Sequence, residues 1–165
     1  PAIEEPNNFL QKVKHILPDA ILAARLIALA EGFHLLSVAS KAYDWDLSMV
    51  NVAKIWRGGC IIRSKMLPEI MAAFEVIESK QHLFESSSFS TLLASKIPAL
   101  EELLEILVRR HCACPALSAA LQYYHSMHEG YSPINLIQAQ RDSFGAHGYR
   151  KLEGGEEVFH TEWEG

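Results

Sequence analysis

The chain has 165 residues, enough for one domain with a real core, and its 49% hydrophobic and 21% charged residues are those of an ordinary globular protein. A net charge of −5, with eight histidines counted neutral, excludes the basic footprint of a nucleic-acid binder, and no basic run seeks an anionic membrane. The most apolar stretch, Ala20–Ala30, is interrupted by Arg25, bounded by Glu31 and shorter than the roughly 20 residues that span a bilayer. No cationic start with an apolar core and cleavage site marks a secretory signal. Cys60, Cys112 and Cys114 make an odd set, which predicts reduced thiols and a cytoplasmic location. Cys112 and Cys114 lie beside His111, but they are not spaced as Cys-x-x-Cys and no second pair closes a tetrahedron, so no metal site is expected.

Pro1–Asn8 reads as a lead-in, after which Phe9, Val13, Ile16 and Leu17 predict a short amphipathic helix ending before Pro18. A long helix from Asp19 follows, carrying Ile21, Leu22, Ile27, Leu29, Phe33 and Leu36 with Ala23, Ala24, Ala28 and Ala30 between them. Apolar on most sides, it is the expected central packing helix. Gly32 costs such a helix about 1 kcal/mol relative to alanine, so a close neighbour is expected against it. Tyr43–Asp46 is a break, with Asp46 the expected N-cap of a helix through Leu47, Val50, Val52, Ile55 and Trp56. Gly58-Gly59 interrupts the pattern, and Cys60-Ile61-Ile62 restarts it through Met66, Leu67, Ile70 and Phe74, with Pro68 as a kink or limit. Arg57 and Arg63 flank the glycine pair. They invite an anion-site reading, but pairing with carboxylates inside the helical assembly is the simpler expectation.

Glu78–Ser90 is polar and serine-rich and reads as a loop. From Ser90 to Val108 a helical pattern runs through Leu92, Leu93, Ile97, Leu100, Leu103, Leu104 and Leu107, with Pro98 in mid-run. The end Arg109-Arg110-His111 suits a helix C-terminus. Pro115 restarts a helix through Leu117, Leu121, Tyr124 and Met127, closing near Gly130.

The stretch with the most chemistry is Asn135–His147. Ser132 and Pro133 supply an N-cap and a first helical position, Leu136, Ile137, Ala139 and Phe144 an apolar side, and Gly145 a residue able to take the left-handed conformation beyond the helix end. Arg141 and His147 are six apart, about 240° around an uninterrupted helix, and can face one anion only if the helix stops at Gly145. An arginine fork matched to phosphate or carboxylate, joined by a second donor on histidine, is the chemistry of an anion clamp. The helix dipole opposes an anion at this end, so binding rests on the side chains. The alternative is structural: Arg141 caps the last turn and pairs with Asp142 or a neighbour, and His147 is a surface loop residue.

Lys151–Gly165 holds one lysine against five glutamates, three glycines and no helical period, and alone it is expected to pack poorly. Phe159 and Trp163 are out of place in a solvated tail and read as anchors that dock into another surface. No strand alternation persists, and no phosphate loop, G-x-G-x-x-G, H-E-x-x-H or readable Ser/His/Asp set is present. The residues therefore predict an all-α, bundle-like domain of about six to seven helices with an extended C-terminal tail.

Asn135–Tyr149, read with Ile55-Trp56-Arg57-Gly58-Gly59-Cys60-Ile61-Ile62-Arg63-Ser64 and the ending Phe159-His160-Thr161-Glu162-Trp163, resembles the C-terminal helical domain of the decarboxylating 6-phosphogluconate dehydrogenase family, from about Ala20 onward. The resemblance implies a helical domain over 1–147 and a tail over 148–165 that docks on the partner subunit of a homodimer. It implies 6-phosphogluconate as substrate, contacted across the subunits by Arg141 and His147 of the Arg-Asp-x-Phe-Gly-x-His motif. It also implies NADP as cofactor, held by a domain absent from this chain together with the catalytic lysine and glutamate and the Lys-Gly-Thr-Gly motif. No residue here is then catalytic, and the chain corresponds to roughly the last third of the enzyme, a piece inactive by itself; the start at Pro1 without methionine points the same way. Ser143 and Gly148 replace the family's usual tyrosine and threonine, and the usual Gly-Ile-Pro turn is missing between His111 and Pro115. The competing reading is a free-standing, non-catalytic helical interaction module derived from that family. Within the enzyme class, a hydroxyacid dehydrogenase relative with another substrate is disfavoured, because a substrate without phosphate has less use for both Arg141 and His147.

Overall fold

Apolar residues recur at 13, 16, 20, 23, 27 and 30 without a change of phase, and the chain follows them: a single helix, α1, runs from Pro6 to Ala42. The computed structural model describes residues 6–77, 81–130, 133–153 and 155–163. Helix α1 begins inside the expected lead-in, and Pro18 lies within it rather than ending it. The lost N–H and ring clash of an interior proline cost about 3 kcal/mol. Burial of Ile16 on one side of Pro18 and of Ala20, Ala23 and Leu26 on the other holds the helix together across it. By length and composition the portion Phe9–Ala42 could cross a bilayer, but its inner face belongs to the core and packs on α5.

Beyond α1 come α2 (Met49–Trp56), α3 (Leu67–Val76), a 3-10 turn (Leu83–Glu85), α4 (Ser87–Ala94), α5 (Ile97–Arg109), α6 (Pro115–His128) and α7 (Ile134–Gly145). The expected all-α class holds, with seven α-helices and one isolated bridge, Tyr149 to Phe159, among the described residues. The chain forms two compact units, Pro1–Tyr124 and His125–Gly165.

Within the first unit Phe33 of α1 joins α2 and α3, its ring 4.8 Å from that of Trp56 and 5.1 Å from that of Phe74. Several boundaries differ from the sequence reading. Ser48, not Asp46, caps α2, its hydroxyl accepting the Asn51 N–H at 3.3 Å; Asp46 instead sits at φ 51° in the preceding turn. Cys60-Ile61-Ile62 forms turns rather than helix, leaving Ile61 fully exposed. Pro68 and Pro98 each stand in the first turn of a new helix, where a missing N–H costs nothing. The run 90–108 is thus two helices, the first closed where the Ser95 hydroxyl donates to the Leu92 carbonyl at 2.7 Å.

The serine-rich segment is not an open loop in its described part. Leu83 and Phe89 enter the core, and His82 is buried, with Nδ1 accepting the Phe84 N–H and Nε2 3.0 Å from the Tyr123 hydroxyl. Residues 78–80 of that segment lie outside the described residues. Nothing approaches within 4 Å of where a Cβ on Gly32 would stand, contrary to the close neighbour expected there.

Candidate functional site

Helix α7 is built inside out. Leu136, Ile137 and Phe144 are 73%, 56% and 74% exposed, whereas Asp142 is fully buried. Of the apolar side expected to pack, Leu136, Ile137 and Phe144 therefore face outward and Ala139 is half-buried, while Gln138 and Asp142 face inward. A buried carboxylate is tolerable only when paired and hydrogen-bonded, and the segment after the helix supplies the partners. Oδ1 of Asp142 accepts the Gly148 N–H and the His160 Nδ1–H, both at 2.9 Å. Oδ2 accepts the Thr161 N–H at 3.0 Å and the Trp163 indole N–H at 2.9 Å. An ionised carboxylate has acceptors only, so the His160 Nδ1 carries the proton. Burial on its own raises the Asp142 carboxyl; the donors from Thr161, His160, Trp163 and Gly148 outweigh it and hold the group well below the usual carboxylate range.

The tail thus folds back on the helix of its own unit. Tyr149 and Phe159 exchange both backbone hydrogen bonds at 2.8 Å, and the Tyr149 hydroxyl lies 2.7 Å from that of Thr161. Lys151 places its Nζ 4.1 Å from the centre of the Phe159 ring. Phe159 and Trp163, expected to anchor on another surface, both make contacts here, although Trp163 remains 45% exposed.

Helix α7 ends as the Arg141–His147 convergence requires, but by a different residue. Ala146, not Gly145, takes the left-handed conformation at φ 49°, its N–H donating to the Asp142 carbonyl at 2.9 Å. Gly145 is still helical, and its bare Cα leaves room for the His147 ring. Pro133 stands just before the first helical residue, Ile134, rather than at it, and Ser132, the expected N-cap, lies outside the described residues.

The result is an open cleft of about 440 Å³ lined by Gln138, Arg141, His147, Gly148, Tyr149, Arg150 and Val158. Arg141 and His147 share it, and no carboxylate lines it among the described residues. Arg141 does not pair with Asp142; its one side-chain contact, to Gln138 Oε1, is at 3.5 Å, which leaves its guanidinium donors available among the described residues. Gln138 also donates from Nε2 to the Gly148 carbonyl at 2.6 Å and so ties the helix to the returning segment. Arg150 is a second guanidinium in the cleft that the sequence did not single out, because only the fold-back of the chain after Gly148 brings it there. Asp142 was equally hidden. Its signal was a charged residue four positions after Gln138 on the side opposite the apolar residues.

Arg57 and Arg63 line a separate cleft of about 730 Å³ with Lys54 and Lys65. All four are exposed, and neither arginine pairs with a carboxylate among the described residues, so the expected ion pairs do not form. Cys60, Cys112 and Cys114 are free thiols.

The all-helical architecture is that of the C-terminal domain of a dehydrogenase, as comparison with known proteins shows. Residues 2–163 match the family described as 6-phosphogluconate dehydrogenase, C-terminal domain. The chain belongs to the 6-phosphogluconate dehydrogenase family. It is 36% identical over 163 residues to the NADP(+)-dependent, decarboxylating enzyme of Bacillus subtilis, which covers 99% of this chain and 34% of that protein. It is 40% identical over 150 residues to the decarboxylating enzyme of Treponema pallidum, covering 90% and 31% of the two chains. Among solved structures, the Plasmodium falciparum 6-phosphogluconate dehydrogenase superposes with a TM-score of 0.87 at 35% identity, over 98% of this chain and 34% of that one. The chain spans about a third of the length of these relatives.

Proposed function

We propose that the chain acts as the C-terminal part of an NADP-dependent 6-phosphogluconate dehydrogenase, supplying helical scaffold, subunit contact and half of a clamp for the substrate phosphate. The enzyme oxidises 6-phosphogluconate and decarboxylates it to ribulose 5-phosphate in the cytoplasm, with NADP and the acid–base groups held by the rest of the protein. The observation that carries this reading is the meeting of Arg141 and His147 on one cleft that no carboxylate lines among the described residues. A guanidinium fork suits the phosphate geometrically, and an imidazole adds a further donor. The names of the relatives support the activity, since the Plasmodium neighbour is described in complex with its cofactor NADP+ and with its substrate 6-phosphogluconate. The outward Leu136, Ile137 and Phe144 support subunit contact, because a run of exposed apolar side chains on one helix is the surface another subunit covers.

Arg141→Ala in the complete enzyme tests the clamp. Loss of a charge-assisted hydrogen bond of about 1.5–3 kcal/mol raises KM for 6-phosphogluconate roughly ten- to hundredfold. An unchanged KM overturns the assignment.

A further inference from the structure

Arg141 precedes Asp142 in α7, and His147 precedes Gly148, whose N–H the Asp142 carboxylate holds. Arg141 is therefore next to the residue that bears the carboxylate, and His147 next to the one whose N–H it holds. Of its four donors, one belongs to the cleft segment and three to the tail, from His160, Thr161 and Trp163. We propose that Asp142 is a positioning residue that couples docking of 160–163 to the geometry of Arg141 and His147, so that the tail sets the affinity of the cleft for its phosphorylated substrate.

The coupling follows from the cost of a buried charge. With the tail in place, both carboxylate oxygens are saturated in a site closed to water. With the tail withdrawn, Asp142 keeps only the Gly148 N–H and must recover solvent. It does so by turning outward or by releasing the Gly148 peptide, and either movement carries His147 away from Arg141. Gln138 adds a second link, since it contacts Arg141 through Oε1 and the Gly148 carbonyl through Nε2. None of the three tail residues lines the Arg141–His147 cleft; Thr161 also meets its lining through the Tyr149 hydroxyl, whereas the side-chain hydrogen bonds of His160 and Trp163 go to Asp142.

The inference rests on the phosphate-clamp reading, and the test separates the two. In the complete enzyme, His160→Ala and Trp163→Phe each remove one donor to Asp142 without touching the cleft. Both are expected to raise KM for 6-phosphogluconate three- to tenfold, with the change falling on KM rather than on kcat or on KM for NADP. His160→Asn, whose side-chain amide can replace the Nδ1–H donor, is expected to restore most of the loss. In an Arg141→Ala background, His160→Ala is expected to add less than it does alone, because only His147 of the positioned pair remains. Wild-type KM in His160→Ala and Trp163→Phe beside a raised KM in Arg141→Ala overturns the coupling and leaves the clamp standing. Wild-type KM in Arg141→Ala overturns the clamp and the coupling with it. Equal losses for His160→Asn and His160→Ala overturn the hydrogen-bonded route.

Discussion

The His147 ring lies over the bare Cα of Gly145, so that a Cβ at position 145 would stand 2.8 Å from both Cδ2 and Nε2. Gly145 is in the last turn of α7, where alanine is intrinsically the better helix former by up to about 1 kcal/mol. Gly145→Ala therefore separates stability from binding. The melting temperature is expected to hold or rise, while displacement of the exposed ring raises KM for 6-phosphogluconate several-fold in the complete enzyme. Steady-state kinetics beside a thermal melt check both signs, and an unchanged KM means that His147 does not bind from this rotamer.

Gly32 offers a contrasting glycine. It lies within α1 with nothing near a Cβ position, and its φ is not in the left-handed region. Gly32→Ala is expected to stabilise the protein by about 1 kcal/mol, read as a shifted midpoint in urea at constant slope. If another part of the complete enzyme packs against this helix face, the sign reverses, so measuring the isolated chain and the complete enzyme locates the contact.

Prolines show how far the sequence could be read. Pro18, Pro68, Pro98 and Pro115 all sit in apolar patterns of helical spacing, yet Pro68, Pro98 and Pro115 open helices and Pro18 is absorbed within one. Spacing cannot separate these outcomes, because the pattern keeps its phase across Pro18 and across the α4–α5 break alike. What decides is burial on both flanks of Pro18 and a serine that closes α4, and both act through tertiary context. The Arg141–His147 convergence was legible because it needs only a helix end between them. The stripe that α7 buries was not, since the apolar residues suggested the opposite face and the partners of Asp142 lie up to 21 residues away in a tail without periodicity.

The end of α5 carries a departure that was visible in the sequence and has a structural cost. His111 takes φ 57°, with its N–H donating to the Val108 carbonyl at 3.0 Å and the Cys112 N–H to the Leu107 carbonyl at 2.9 Å. This is the paired hydrogen bonding of a Schellman end, which favours glycine at the left-handed residue. A side chain there costs about 1–2 kcal/mol, offset in part by the greater freedom of glycine in the unfolded chain. His111→Gly is expected to stabilise the first unit by about 1 kcal/mol, measured by chemical denaturation. A loss of stability would show that the imidazole makes a compensating contact.

Asp142 gives the second unit a defined pH response. Its carboxyl is held below the ordinary carboxylate value by four donors that outweigh burial. A group depressed on folding contributes stability that is fully present above its unfolded value, about 3.9, and is lost as the pH falls toward the folded value. Asp142→Asn removes that contribution at every pH. The stability gap between parent and variant is therefore expected to be constant between about pH 5 and pH 7 and to narrow below about pH 4. His160 faces the same carboxylate, so the comparison belongs in a His160→Asn background, where this partner of Asp142 is neutral. Thermal melts across this range, followed by Trp163 fluorescence with the other two tryptophans, Trp45 and Trp56, replaced by phenylalanine, read the second unit directly. A gap that stays constant down to pH 3 would mean that folding leaves the Asp142 carboxyl at its unfolded value, the four donors only offsetting burial.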